Sequence, residues 1–385
     1  MAQQFKKHLK ILDCWCWLDG VTKFGNSANV TPFISDGSDC YSFMFMEISL
    51  TGRGNGVDGG DGVPGDISFD NQVFDLNFHP NRDVIAAGEI DGTVTVYSYA
   101  VSEENHLLLE LHHHKKACRA LTFSLDGLYL YTGSKDKSLQ AVDMNSGAVA
   151  HSIAKAHNSP VYCMKVITDS LIATGDDDGC VKFWDTRQAS CVMTVADNQD
   201  FISDMDCDAE KRTLLASSGD GSLSVFNIRR QKIEQQSDNM ESELLSVAVV
   251  KGGRKVVCGT GDGILNLFTW GEWGDISDRF PGHPLSIDSC VAVSDNVVCT
   301  GSMDGIIRAV HILPNRFVGT VGEHKDFPVE RMRISRDGNT LASCSHDQSV
   351  KFWDVSHLKT LRVDPGCKKS DPSTKKATDD FFADL

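Results

Sequence analysis

Carboxylates are the side chains in this sequence that could most readily do chemistry, because seven aspartates recur at steps of 42 to 45 residues. They are Asp91, Asp136, Asp178, Asp220, Asp262, Asp304 and Asp347. Two carboxylates can share acid and base roles only when they lie within about 10 Å of each other. A regular step of this length puts one aspartate in each copy of a repeated unit. We therefore expect the seven residues to lie far apart and to be structural.

Metal binding is the next chemistry to consider. His112, His113 and His114 are consecutive, and neighbouring residues in a strand point to opposite faces, so the three imidazoles cannot converge on one ion. Cys14 and Cys16 form a CxC pair without a CxxC partner elsewhere, which does not support zinc. The sequence also lacks a nucleophile motif and a phosphate-binding loop. It predicts a protein that is not an enzyme and has no cofactor.

The recurring aspartates begin tight turns that lead into short strands, as in DGCVKFW from Asp178. An Asp-Gly step suits a hairpin, because glycine takes a positive φ at low cost and the carboxylate accepts nearby N–H groups. In two copies Lys137 and Gln348 stand in place of the glycine. We expect those two turns to be less well formed or of another type.

A second series of apolar strands keeps the same period upstream of the turns, for example CRALTF from Cys118 and VYCMKV from Val161. A period in the forties built only from short strands is typical of a β-propeller blade. The sequence therefore predicts an all-β, seven-bladed propeller with four-stranded antiparallel blades over residues 66–364. Either Asp66–Phe69 or Leu358–Val363 could supply the strand that closes the ring.

The two ends of the chain fall outside the repeat. Residues 1–65 are predicted to be an irregular or disordered extension with a Gly-rich linker, and residues 365–385 a disordered tail with a short docking motif at Phe381 and Phe382. The net charge of −16 argues against non-specific nucleic-acid binding. The thirteen cysteines, most of them within strands, fit a reducing compartment. The sequence contains no run of eighteen apolar residues, so it predicts no membrane-spanning helix.

The repeats resemble those of the WD-repeat family in their spacing and in three dipeptides. Gly282-His283 matches the family's opening, and Trp184-Asp185 and Trp353-Asp354 match its close. The resemblance implies a hydrogen-bonded tetrad in the third and seventh repeats. Its members would be His157, Thr174, Asp178 and Trp184 in one, and His324, Ser343, Asp347 and Trp353 in the other.

One segment suggests a particular partner. Asp178, Trp184, Asp185 and Arg187 resemble the box through which some WD-repeat proteins dock on the triple-propeller adaptor of cullin-RING ubiquitin ligases. An arginine just past a strand can offer its planar fork to a partner. The alternative is that a well-formed repeat ends in this pattern for structural reasons.

The mouth of the central channel is a second candidate binding site, because propellers commonly bind partners there. The second residue of each innermost strand should lie at the mouth: Phe74, Arg119, Tyr162, Ser203, Leu245, Asp288 and Glu330. Aromatic and cationic side chains such as Phe74, Arg119 and Tyr162 are enriched at interface hot spots. Ordinary surface variation is the alternative for each residue.

Longer segments resemble one nucleolar branch of the WD-repeat family, and the resemblance covers about residues 66–385. They include KACRALTFSLDG at 116–127, SGDGSLSVFNIRR at 218–230, GIIRAVHILPNRFVGTVGEH at 305–324 and TDDFFADL at 378–385. The resemblance implies a nuclear and nucleolar scaffold for ribosomal RNA production, with pre-ribosomal assembly factors as partners. The sequence leaves open whether RNA is contacted directly. Docking on the ubiquitin-ligase adaptor as a substrate receptor is the alternative function.

Overall fold

The computed structural model describes residues 62–361, and these form seven four-stranded antiparallel sheets. Six sheets are made of four consecutive strands. The seventh takes its outer strand from the start of the described chain. The prediction of an all-β propeller with seven blades is confirmed. The predicted extension and tail fall almost entirely outside the described residues.

The strands are numbered in chain order, and each blade contributes one strand to each of four concentric layers. The innermost strands are β2 (Val73–Phe78), β6 (Cys118–Phe123), β10 (Val161–Thr168), β14 (Ile202–Cys207), β18 (Leu244–Val250), β22 (Ile287–Ala292) and β26 (Val329–Ile334). The second strands are β3 (Val84–Glu89), β7 (Tyr129–Ser134), β11 (Leu171–Asp176), β15 (Thr213–Ser218), β19 (Lys255–Thr260), β23 (Val297–Ser302) and β27 (Thr340–Ser345).

The third strands are β4 (Val94–Ser98), β8 (Leu139–Asp143), β12 (Val181–Asp185), β16 (Leu223–Asn227), β20 (Ile264–Thr269), β24 (Ile306–His311) and β28 (Ser349–Asp354). The outer strands are β5 (His106–Leu111), β9 (Val149–Ile153), β13 (Ser190–Val195), β17 (Lys232–Gln236), β21 (Asp278–Pro281) and β25 (Arg316–Glu323). The short β1 (Ile67–Ser68) completes blade seven.

Ring closure settles the choice between the two terminal segments. Ile67 pairs with Val350, and Ser68 pairs with Ser349, so β1 becomes the outer strand of the blade formed by β26, β27 and β28. Leu358 instead lies in a 3-10 helix, Ser356–Thr360. Because β26 also contacts β2, the first and last blades meet and leave no open sheet edge between them.

The core lies in apolar layers between neighbouring blades. Phe183 of blade three packs edge-on against Phe226 of blade four, with ring centroids 5.8 Å apart, and both side chains are buried. Burying a side chain of this size contributes about 2 to 3 kcal/mol. The middle strands are therefore covered on both faces, which explains why β3 and β23 are buried throughout.

The two turns without glycine share the left-handed φ of the other five, but only one of them makes the same hydrogen bond. Lys137 has φ 74° and Gln348 has φ 61°, close to the 79° of Gly179. The Lys137 N–H donates to the Ser134 carbonyl at 3.0 Å, just as Gly179 donates to Asp176. The prediction of a weaker or different turn is therefore wrong at Lys137. Among the described residues the matching bond from the Gln348 N–H to the Ser345 carbonyl is absent, so that turn is less well formed, as predicted. The surrounding sheet holds each side chain in a left-handed conformation that costs roughly 1 kcal/mol.

Blade seven contains the tetrad that the family resemblance implies. His324 Nδ1 lies 2.7 Å from Asp347 Oδ2, and His324 Nε2 lies 2.7 Å from Ser343 Oγ. The Trp353 indole donates to the same Ser343 hydroxyl at 2.8 Å. The network ties the turn between β27 and β28 to the sheet.

Blade three builds the same network with a different carboxylate, so the assignment of Asp178 is wrong. His157 Nδ1 lies 2.8 Å from Asp176 Oδ2, and the Trp184 indole donates to Thr174. Asp176 Oδ1 also accepts the N–H groups of Asp178 and Cys180. The Asp178 side chain is exposed in the turn.

The remaining turn aspartates follow one pattern with one exception. Asp91, Asp136, Asp220, Asp304 and Asp347 each accept the N–H of the residue two positions later, at 2.8 to 3.0 Å. In blade five, however, the corresponding N–H, from Ile264, donates to the Thr260 hydroxyl, which in turn donates to Asp262. Asp262 therefore supports its turn through Thr260.

Candidate binding site at the mouth of the central channel

The propeller has two distinct faces, which are defined by strand direction. Val161, at the start of β10, pairs with Asp176, at the end of β11, so the innermost strands begin at the same face as the turns between second and third strands. We call this face the upper face. The 3-10 helix follows the end of β28 and therefore lies at the lower face.

The second residues of the innermost strands form a ring at the upper face, which we call the mouth ring. Its partly exposed members are Phe74, Arg119, Tyr162, Leu245, Asp288 and Glu330. Ser203 occupies the same position in blade four, but its side chain is buried and its hydroxyl donates to the Leu244 carbonyl at 2.6 Å. In each of the seven strands the pairing register shifts at this second residue, a bulge that separates it from the regular ladder. The sequence pattern thus located the ring, and the structure supplies its contacts.

One side of the mouth ring is aromatic and cationic. The Arg119 guanidinium lies 5.5 Å from the centre of the Tyr162 ring, and its Nη1 lies 3.4 Å from Asp177 Oδ1. Tyr162 also packs against Phe201, with ring centroids 5.1 Å apart. These contacts fix a flat, partly exposed surface that a partner could stack on.

The opposite side of the ring is acidic. Glu330 Oε2 lies 3.2 Å from His346 Nε2, and the His346 ring packs edge-on against Phe74. Burial, together with the neighbouring Glu330 carboxylate, raises the pKa of Asp288 to about 7. The Ser286 hydroxyl lies 3.2 Å from Asp288 Oδ2. A basic group on a partner would relieve the repulsion between the two carboxylates.

Arg331 closes the channel below the ring. It starts from blade seven and its Nη2 donates to the Ser203 carbonyl of blade four at 2.8 Å. Its Nη1 lies 3.7 Å from Asp204 Oδ1, and both side chains are nearly buried. Asp75 is buried beside it, where it binds Arg333 at 3.3 Å and accepts the Leu121 N–H at 2.8 Å. The mouth is therefore a cup with a charged floor.

Sequence reasoning missed Arg331 and its partners. A signal existed, because Arg331 is the one basic residue at the third position of the seven innermost strands. That position otherwise carries Asp75, Ala120, Cys163, Asp204, Ser246 and Ser289. A single cation among two aspartates and four small residues suggests a contact across the channel.

The residues of the adaptor box do not share one surface. Asp178 lies at the upper face, at one end of β12, whereas Asp185 and Arg187 lie at the other end. Trp184 is buried and engaged in its tetrad. The exposed Arg187 fork is already held by Asp185, at 3.0 Å from Nε to Oδ1 and 2.6 Å from Nη2 to Oδ2. This pairing lowers the pKa of Asp185 to about 2.

Two further features bear on function. Within residues 62–361, one group of side chains has metal-ligand character: His157, Asp176 and Cys180. His157 and Asp176 bind each other in the tetrad, and burial raises the pKa of the Cys180 thiol to about 11, so the group is already explained as a structural network. The described part of the chain also contains no helix whose length and hydropathy would let it cross a bilayer.

Seven blades, histidine–hydroxyl–tryptophan networks and Trp-Asp strand ends together define a WD-repeat β-propeller, a class whose surfaces serve mainly for binding other proteins. A family model for WDR55 matches residues 64–358, and the chain belongs to that family.

Relatives from animals and plants support this assignment. The chain is 45% identical over 332 residues to WD repeat-containing protein 55 of Rattus norvegicus, covering 84% of this chain and 86% of the rat protein. It is 44% identical over 332 residues to the Homo sapiens protein of the same name, covering 84% and 87%. The Arabidopsis thaliana protein of that name is 40% identical over 296 residues, covering 76% and 83%.

Proposed function

We propose that this protein is a non-enzymatic scaffold that holds protein partners at its mouth ring during ribosomal RNA processing and ribosome assembly in the nucleolus. The observation that carries the binding part is the cup itself. Arg119, Tyr162 and Phe74 offer stacking surface, and Arg331 closes the floor. Glu330 offers negative charge, and a cationic partner would favour the ionised form of Asp288, whose pKa burial raises to about 7. Such a cup suits side chains that project from a partner.

The acidic side of the ring favours basic partners. Pre-ribosomal assembly factors and ribosomal proteins carry many lysines and arginines, and a cationic side chain over Phe74 or beside Glu330 would be stabilised by the ring's charge. The nucleolar part of the proposal rests on the segments at 116–127, 218–230 and 305–324, which resemble the nucleolar branch of the WD-repeat family.

Depletion with rescue tests the biological role. Cells that lack the protein should accumulate unprocessed ribosomal RNA precursor, and the wild-type chain should restore processing and concentrate in nucleoli. A variant with Phe74→Ala and Glu330→Ala should remain folded but fail to restore it. Normal precursor processing after complete depletion, or a wild-type chain that stays out of nucleoli, would contradict the proposal.

Docking on a ubiquitin-ligase adaptor stays the alternative function, and we give it second place because Arg187 is already paired with Asp185 and Asp178 lies at the opposite face. A purification of wild type beside Arg187→Ala is the direct check on docking to a ubiquitin-ligase adaptor. Adaptor peptides that are present with wild type and lost with Arg187→Ala would support a substrate receptor. Equal recovery, or none from either, would remove that interpretation at this site.

A further inference from the structure

We propose that the upper face carries a second binding site, a lysine-lined hollow between blades one and two, and that the acidic and aromatic segment Asp379–Asp384 of this chain's own tail occupies it. The hollow has a volume of about 400 Å³ and is lined by Ile90, Asp91, Lys115, Lys116, Ala117 and Lys135. It lies beside the mouth ring and is distinct from it.

The lysines at this site depart from the residue pattern that the other six blades share. Lys115, Lys116, Lys135 and Lys137 form what we call the lysine cluster. The first two stand three and two residues before the innermost strand, and the other two stand one and three residues after the second strand. At the same four positions of the other six blades there is no lysine and no arginine. The fold therefore does not require these charges.

Lys137 gives independent evidence that the charge is placed at a cost. Five other blades have glycine at this position, whereas Lys137 is held at φ 74°. A side chain in this conformation costs roughly 1 kcal/mol. Its Nζ donates to the Asn158 carbonyl in the loop before β10, so this ammonium extends the positive surface towards blade three and does not line the hollow.

The cluster is neutralised only in part, because Lys135 lies close enough to Asp177 to act on its pKa and Asp136 accepts the Lys115 N–H at 2.9 Å. Among the described residues, no carboxylate lies within 4 Å of the Nζ atoms of Lys115, Lys116 or Lys135. Asp91, the one acid that lines the hollow, is engaged by the Thr93 N–H at 2.8 Å and the Asn71 amide at 3.2 Å. The hollow is thus a positive site on a chain whose net charge is −16.

The tail matches the hollow in charge and in apolar character. The segment DDFFAD at 379–384 has three aspartates around two phenylalanines. The aspartates complement the lysine cluster, and an aromatic ring would cover Ile90, which is 43% exposed. The exposed Ile90 side chain favours a peptide with aromatic residues over RNA as the ligand, because a phosphate backbone would leave Ile90 uncovered.

The tail is long enough to reach the site. The last described residues lie at the lower face, where Lys359 Nζ donates to Asn339 Oδ1 at 2.8 Å. Residues 362–378 can span roughly 55 to 60 Å when extended, whereas a six-residue strand crosses about 20 Å between the faces. Blade seven adjoins blade one, so the path around the rim is short. A tethered segment also acts at an effective concentration near the millimolar range.

Peptide binding to the full-length chain tests the proposal. The probe is a fluorescein-labelled peptide of residues 377–385, followed by anisotropy at low and high salt. A full-length variant with Phe381→Ser and Phe382→Ser should bind the peptide at one site, and wild type should bind it at least 10-fold more weakly because its own tail competes. Adding Lys116→Glu and Lys135→Glu should weaken binding at least 10-fold. Lys155→Glu with Lys325→Glu, two exposed lysines elsewhere, is the matched control and should leave binding unchanged.

Four results would overturn the proposal. Equal peptide affinity for wild type and the tail variant would mean that the tail does not occupy the site. Insensitivity to the cluster substitutions, in proteins with unchanged thermal unfolding, would place the peptide elsewhere. A single-stranded RNA oligonucleotide that binds through the lysine cluster while the peptide does not would assign the hollow to nucleic acid. A concentration-dependent increase in mass that the tail variant abolishes would assign the tail to a second copy.

Discussion

Asp176 and Asp178 provide a sharp test of the structural reasoning, because they are two residues apart and the sequence pattern favours the wrong one. We predict that Asp176→Asn destabilises the propeller by about 2 to 4 kcal/mol and that Asp178→Asn changes the free energy of unfolding by less than about 0.5 kcal/mol. Both changes remove one negative charge from the same turn. The pair therefore separates the hydrogen-bond network from general electrostatics.

The magnitude follows from the contacts of Asp176. Its side chain is 2% exposed, and its oxygens accept from the Asp178 and Cys180 N–H groups and from His157 Nδ1, at 2.8 to 3.1 Å. An amide retains one acceptor but turns its NH₂ group towards His157. One charge-assisted bond, worth about 1.5 to 3 kcal/mol, is then replaced by two facing donors. Asp178 is exposed and its carboxylate makes no such contacts.

Urea and thermal unfolding measure both variants. For about 300 described residues the entropy of unfolding is near 0.6 kcal/mol per degree, so the change at Asp176 should lower Tm by about 3 to 6 °C. The hydrogen bonds outweigh burial and lower the pKa of Asp176, so the stability that it contributes is present above pH 4 and is lost as the solution becomes more acidic. Equal Tm values for the two variants, or a larger loss from Asp178→Asn, would refute the assignment.

Three further substitutions have expected outcomes. Lys137→Gly should raise the free energy of unfolding by about 0.5 to 1 kcal/mol in urea titrations, because glycine relieves the left-handed strain. Gly322→Ala should lower it by about 1 to 3 kcal/mol, since the added Cβ would lie 2.2 Å from the Trp353 ring, whereas Gly274→Ala, with nothing nearer than 3.8 Å, should not. Asp288 binds a proton more tightly in the folded state, so wild-type stability should fall as pH rises from about 4 to 7, by no more than about 4 kcal/mol. Asp288→Asn should flatten that dependence when urea midpoints are compared at pH 5 and pH 8.

The sequence was sufficient for the architecture because two separate patterns share one period. The aspartate turns and the apolar inner strands each recur about every 42 residues, which determines the number of blades and the strand layers. The same register locates the mouth ring, since the second residue of each inner strand follows directly from the alignment of the repeats.

The remaining features depend on contacts that a repeat pattern does not encode. The run Asp176-Asp177-Asp178 offers three acids, and the period selects the last although the buried strand end supplies the first. Arg331 and Ser203 lie in different blades and are 128 positions apart in the chain, so no local pattern could reveal their contact. Asp178 and Arg187 are separated by a whole strand, and this could have been inferred from their spacing.

The central claim is that the mouth ring holds other macromolecules, and affinity purification with quantitative mass spectrometry tests it most directly. Tagged wild type should recover pre-ribosomal proteins, and Phe74→Ala with Glu330→Ala should lose them at least 10-fold. Leu107→Ala with Val192→Ala, which alters exposed apolar residues on the outer strands, should retain them. Full recovery by the mouth variant together with loss by the outer-strand variant would contradict the account.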